Sequence, residues 1–321
     1  MIYQIKPVIG KLAKKNIIKY IKNDNWITEF KHTSIFEKKF SKFTNSKHCI
    51  AFPNGTLTMY AILKCLNLRK NSEVLVSNYT MVATANVVKM AGLKLRLVDI
   101  SEYDLCMSPK DLLKKISKNT KVVIYTQMNG RVGQINEISK ICKKRKIHLI
   151  EDSAHAIGSF YKRKHIGNSG IASSFSFSMP KLITMGQGGA IITNNKLFAK
   201  KLRLFKNFGR KTDGIDVHNY LGYNFKITDL QSILATSQLK NIKERIKLKK
   251  EIFQRYLNNL KGNKKIKMIP MKSYETPWSV DIYFKGTKKV KKILKKNNVL
   301  TRYVYPPLNS QKIYKNFKGL P

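Results

Sequence analysis

The strongest constraint on this chain is a repeated alternation of short, continuous apolar runs, rich in Val, Ile and Leu, with segments of helix length. The runs His48–Phe52, Glu73–Ser77, Lys94–Val98, Lys121–Tyr125, Ile147–Glu151, Ser173–Ser178 and Ala190–Thr193 are candidate strands. Thr56–Leu66, Thr80–Ala91, Pro109–Ile116 and Gln134–Lys146 are candidate helices between them. A strand that is apolar throughout must be covered on both faces. The pattern therefore predicts an α/β fold with a mostly parallel central sheet and flanking helices. A long helical pattern runs from about Thr228 to Leu260. After a turn at Gly262–Asn263 comes a strand near Trp278–Phe284, a helix near Lys288–Lys296 and a strand near Thr301–Val304. The expected division is residues 1–235 as a large domain with an N-terminal segment, and 236–321 as a connecting helix and a small C-terminal α/β domain.

Composition narrows the setting. No stretch of about 18 apolar residues occurs, so no membrane-spanning helix is expected. Met1 to Lys11 lacks the apolar core and small-residue cleavage site of a secretory leader. Cys49, Cys65, Cys106 and Cys142 are scattered, which suits reduced thiols in a cytoplasmic protein and supports neither a disulfide framework nor a metal site. The formal charge of +45 would attract polyanions. Yet only ten of the 63 basic residues are Arg, and the basic residues run through every segment instead of gathering beside aromatics. Solvated lysine-rich faces, with no specific nucleic-acid partner, are the expectation.

Three motifs can carry chemistry. Pro53-Asn54-Gly55-Thr56 joins a strand to a helix, where glycine and free N–H groups suit an anion, although an ordinary helix start looks the same. Ile150-Glu151-Asp152-Ser153-Ala154-His155 ends a buried strand, the place where parallel sheets bind ligands. Asp152 there could pair with a protonated ring nitrogen, or merely cap a helix. Ser174-Phe175-Ser176-Phe177-Ser178-Met179-Pro180-Lys181 precedes the glycine-rich turn Gly186-Gln187-Gly188-Gly189. A lysine held there could be a buried amine nucleophile, though most lysines in this chain are surface groups.

These motifs stand in order with Asn78-Tyr79-Thr80 and Gly222-Tyr223-Asn224, and the whole series resembles the DegT/StrS sugar aminotransferases. Those are fold-type-I enzymes dependent on pyridoxal 5'-phosphate, and the resemblance runs from about Trp26 to the C-terminus. It implies that Lys181 forms the Schiff base with the cofactor and later shuttles the proton. It further implies that Asp152 pairs with the pyridine nitrogen, His155 sits near the ring's phenolic oxygen, and Tyr79 stacks on the ring. Gly55, Thr56 and Ser176 would hold the phosphate, and Asn224 would reach it from the partner subunit of a homodimer. Thr301 to Leu308 is similar to the segment that helps enclose the sugar nucleotide.

Ser77 to Asn86, with Met128-Asn129-Gly130-Arg131, is most similar to perosamine-type synthases, which act on GDP-linked sugar. The implied activity moves an amino group from L-glutamate to a 4-keto-6-deoxy sugar for a surface polysaccharide such as an O-antigen. Amination at C3, or of a UDP- or dTDP-linked sugar, is the alternative. A dehydratase of the same fold carries His at the Lys position, so Lys181 argues against it. Leu182 stands where many relatives have Asn, and Phe30-Lys31 where they often have Gly. The chain also stops at Gly319-Leu320-Pro321 where relatives continue, which leaves an impaired fragment or a polyanion-binding protein as the non-enzyme alternatives.

Overall fold

A computed structural model describes residues 1–314 apart from 4, 5, 7, 24, 25 and 213, so Gly319–Pro321 lies outside the described residues. The strands are β1 (His48–Phe52), β2 (Glu73–Ser77), β3 (Lys94–Val98), β4 (Thr120–Thr126), β5 (His148–Asp152), β6 (Phe160–Tyr161), β7 (Lys164–His165), β8 (Ala172–Ser176), β9 (Gly189–Thr193), β10 (Ile266–Lys267) and β11 (Tyr283–Phe284). The helices are α1 (Lys11–Lys22), α2 (Lys31–Thr44), α3 (Gly55–Cys65), α4 (Val82–Met90), α5 (Pro109–Lys115), α6 (Ile135–Lys144), α7 (Lys196–Lys206), α8 (Asp229–Leu239), α9 (Ile242–Asn259) and α10 (Thr287–Lys296). The central sheet has seven strands in the order β1-β9-β8-β5-β4-β2-β3. Pairing is parallel from β8 to β3, and β9 runs antiparallel to both of its neighbours.

The pleat sorts side chains by parity. Val74, Val76, Val122 and Ile124 pack with residues of α3, α4 and α7 on one face. Leu75, Val123 and Tyr125 pack with residues of α5 and α6 on the other. At the antiparallel end, Phe36 and Phe40 of α2 meet Phe175 and Phe177 edge-on. Burial on both faces is why these strands read as unbroken apolar runs.

Three expectations change. The helical pattern from Thr228 to Leu260 is two helices, α8 and α9, with a tight turn in which the Asn241 N–H donates to Gln238 O. The strand near Trp278–Phe284 shrinks to β11, because Ser279 and Asp281 bond to Asn129 instead of to a ladder. Thr301–Val304 forms no strand; it leads into Pro306-Pro307, which cannot donate backbone bonds. The chain's start joins this region, since the Ile2 N–H donates to Asn298 O and the Leu300 N–H to Ile2 O. Among the described residues no helix is long and apolar enough to cross a membrane.

Candidate active site

At the carboxyl ends of β4, β5 and β8 lies a cavity of about 230 Å3 whose walls include Gly55, Thr56, Asp152, His155, Ser176 and Lys181. Parity explains the Glu151–Asp152 pair. Glu151 points away from the cavity and accepts from Gln127 Nε2 and from the Gly167, Ser169 and Gly170 N–H groups, so it is a loop anchor. Asp152 points inward. Its Oδ2 accepts from Thr84 Oγ1 at 2.7 Å and its Oδ1 from the Ala154 N–H at 3.2 Å. Burial pushes this carboxyl above its ordinary range, against the lowering influence of Thr84, Ala154 and Lys181.

Gly55 and Thr56 open α3, whose first turn is capped by Asn54 Oδ1 accepting from the Leu57 N–H at 2.9 Å. That turn rests on β9. A Cβ at Gly189 would lie 2.6 Å from the Asn54 carbonyl carbon, which accounts for the second glycine after Gln187. The Ser176 and Ser178 hydroxyls face the same end, 3.3 Å apart. Lys181 sits in a turn closed by its N–H to Ser178 O, and Trp278 Nε1 donates to Pro180 O at 2.9 Å. The Lys181 Nζ stands 4.5 Å above the Trp278 ring. Burial lowers its pKa to about 8, opposed by Asp152 and assisted by Arg302. The His155 ring stacks on Trp278 at 4.0 Å with planes 7° apart. Burial, with Lys181 and Arg302 nearby, holds His155 well below the usual histidine range, so the ring is neutral. Its Nδ1 is buried without a hydrogen-bond partner.

Two of the expected residues lie outside the cavity of their own chain, and of these Asn224 was expected to serve the partner subunit's site. Tyr79 is not among the cavity walls; it packs with the cluster on the far face of the sheet, near Tyr283 and Asp281. Thr80 and Met81, which follow Tyr79, are the residues of this segment that line the cavity. Asn224 is exposed beside Asn207 and away from the cavity of its own chain. Thr84, Gln187, Trp278, Arg302 and Tyr305 join the walls, brought together from distant parts of the chain. A larger cleft of about 970 Å3 lies by α7, but its buried Lys206 and its Arg203 are already paired with Glu29 and Glu37.

These residues fit pyridoxal phosphate. An orphaned imidazole nitrogen, a buried carboxylate short of a cationic partner, an amine of lowered pKa and a helix N-terminus flanked by hydroxyls match its ring, its nitrogen, its aldehyde and its phosphate. Among the described residues no group of three His, Cys, Asp or Glu could hold a metal. Fold and site together define an α/β enzyme that uses this cofactor to transfer amino groups.

Comparison with known proteins gives the particular family. The sequence profile of the DegT/DnrJ/EryC1/StrS aminotransferase family matches residues 8–320, and the chain belongs to that family. It is 28% identical over 305 residues to GDP-perosamine synthase of Escherichia coli O157:H7, covering 94% of this chain and 84% of that protein. It is 30% identical over 260 residues to GDP-perosamine synthase of Vibrio cholerae, covering 80% and 71%. Among solved structures, the Helicobacter pylori aminotransferase PseC, involved in the biosynthesis of pseudoaminic acid, superposes with a TM-score of 0.93 at 25% identity, covering 99% of this chain and 88% of that one. The aminotransferase TlmJ from Streptoalloteichus hindustanus has the same fold, with a TM-score of 0.94 at 21% identity over 100% of this chain and 89% of that chain. The protein is thus a pyridoxal-phosphate-dependent sugar aminotransferase.

Proposed function

We propose that this enzyme moves an amino group from L-glutamate to C4 of a GDP-linked 4-keto-6-deoxy sugar, in the manner of GDP-perosamine synthase, for a surface polysaccharide. The observation that carries the reaction is the meeting of Lys181, Asp152 and His155 in one cavity at the sheet's carboxyl edge. Similarity to two GDP-perosamine synthases favours the GDP-linked 4-keto substrate over C3 amination or a UDP- or dTDP-linked sugar.

When bound, the cofactor supplies an electron sink that stabilises negative charge on the carbon bearing the nitrogen. The Asp152 carboxylate, its direction fixed by the bond from Thr84, would hold the cofactor's ring nitrogen protonated. His155, neutral and clamped against Trp278, would orient the phenolic oxygen. Gly55, Thr56 and Ser176 would bind the phosphate. Lys181 Nζ would hold the cofactor and, as a free amine, would take a proton from the donor's carbon and return one; a pKa of about 8 suits both directions near neutrality. Asn224, exposed on its own chain, completes the phosphate site of the partner subunit in a homodimer.

The test is the visible absorption of the protein loaded with pyridoxal phosphate, before and after L-glutamate. The wild type should show the band of the lysine-bound cofactor and lose it on adding glutamate. Lys181→Ala should lack the band and lose about 10²- to 10⁴-fold in rate. A wild type without the band would sink the assignment of Lys181. Turnover of UDP- or dTDP-linked keto-sugar in preference to GDP-linked would sink the finer assignment.

A further inference from the structure

Four planar groups form a file along one wall of the cavity. The Trp278 ring lies 4.0 Å from His155, His155 lies 6.1 Å from Tyr305 with planes 13° apart, and the Arg302 guanidinium carbon sits 5.4 Å over Tyr305. Arg302 is exposed, lines the same cavity as Lys181, and has no carboxylate at ion-pair distance among the described residues. A guanidinium resting on an aromatic face keeps its edge N–H groups free, and that edge matches a planar carboxylate bidentately. The cavity wall therefore holds two cations, Lys181 and Arg302, against one carboxylate, Asp152.

The reaction brings two substrates with different charge layouts. An amino-acid donor carries its carboxylate on the same carbon as the reacting amine, so that charge must come into the cavity beside Lys181. A sugar nucleotide carries its charge on the diphosphate, across the sugar ring from a C4 carbonyl. We propose that Arg302 is the binding residue for the α-carboxylate of the amino donor and sets the enzyme's preference for α-amino acids over simple amines. This rests on the reading of Lys181 as the group that meets the donor.

The experiment uses holoenzyme in three forms: wild type, Arg302→Gln and Arg302→Lys. L-Glutamate is titrated against the visible band, and glutarate, which has no amine, is titrated by calorimetry. GDP-mannose is titrated the same way as an unreactive sugar nucleotide. Arg302→Gln should raise the half-saturating glutamate concentration about tenfold to a hundredfold, the loss expected for a charge-assisted hydrogen-bond pair. Glutarate binding should weaken in parallel, and GDP-mannose binding should stay unchanged. Arg302→Lys should recover only part, because an ammonium lacks the fork. Unchanged glutamate and glutarate binding would overturn the proposal, and so would GDP-mannose weakening as much as glutamate. If the wild-type band ignored glutamate, the reading of Lys181 would fail instead, and the glutarate titration would still decide whether Arg302 holds a carboxylate. If GDP-mannose did not bind the wild type, the two carboxylate titrations would decide alone.

Discussion

Asp152 and Ser176 stand at the ends of β5 and β8, whose sheet buries Val122, Val123, Ile124 and Ile150 completely. Trp278, on the opposite wall, stands on a strap with no ladder of its own. That strap is held by a buried polar clasp. Arg131 Nη1 donates to Asp281 Oδ2 at 2.9 Å, Arg131 Nη2 donates to Ile269 O at 2.9 Å, and Asn129 Nδ2 donates to Asp281 Oδ1 at 2.8 Å. The Val132 N–H donates to Glu275 Oε1, and the Thr276 N–H to Ser159 Oγ. Apolar burial is non-directional and shares its energy among many contacts, so the cavity floor tolerates small losses. A buried polar network fixes direction as well as position, and it fails sharply when one member is left without partners. The floor carries the carboxylate, while the wall carries the stacked rings whose angles matter most.

The hardest blow to that contrast is Asp281→Ala, which strands the Arg131 guanidinium, itself 1% exposed. It should cost about 3–5 kcal/mol in urea unfolding. It should also disturb the visible band of the holoenzyme, as Trp278 and His155 lose their angle. A loss below about 1 kcal/mol, the range of exposed pairs, would put the clasp in the same energetic class as the surface. A middle-sized test titrates Lys181 itself. Its ammonium form predominates below a pKa of about 8, so capture of added cofactor by the apo-protein should accelerate as pH rises and level off above that value. Between pH 7 and the plateau the gain should be about tenfold. A rate still climbing steeply at pH 10 would show an ordinary surface lysine. The smallest effect belongs to the sheet. Ile124→Val should cost about 0.5–1.5 kcal/mol and leave the band's position and pH response unchanged. A spectral change in that variant would mean that floor and wall are coupled after all.

The two regions also differed in how plainly the sequence announced them. β1, β2 and β3 match their apolar runs residue for residue; burial of β1 and β2 keeps their centres apolar, while the edge strand β3 admits Arg96 and was legible from its leucines and valine. Asp152 and Lys181 were legible from short motifs that sit beside such strands. Tyr79 was expected in the cavity and Met81 was not. In a regular strand Tyr79 and Met81 would share a face, but residues 78–80 bend instead, so no local periodicity tells which side chain turns inward. Trp278 carried no local signal, since its place depends on bonds to Asn129 and Pro180, far away in the chain, and Arg302 was legible only as part of the Thr301–Leu308 segment. The clasp itself was silent: Asn129 and Arg131 were read only as part of the Met128–Arg131 resemblance, and Asp281 read as an ordinary polar residue until the fold brings the three together.

The strand order carries a consequence for the chain as it is made. β1, at the sheet's edge, pairs with β9, and the segments between them include the whole parallel half of the sheet. At a synthesis rate of about 5–20 residues per second, β1 waits on the order of 7–30 seconds for its neighbour to leave the ribosome. Meanwhile the apolar run from Cys49 to Phe52 has no registered partner, and it is the kind of segment that other nascent chains can capture. β1 gains its one ladder neighbour only when Gly189–Thr193 arrives, so the first strand synthesised is among the last to be protected. Slower translation between residues 53 and 188 should lengthen that exposure and lower the yield of folded enzyme per chain begun.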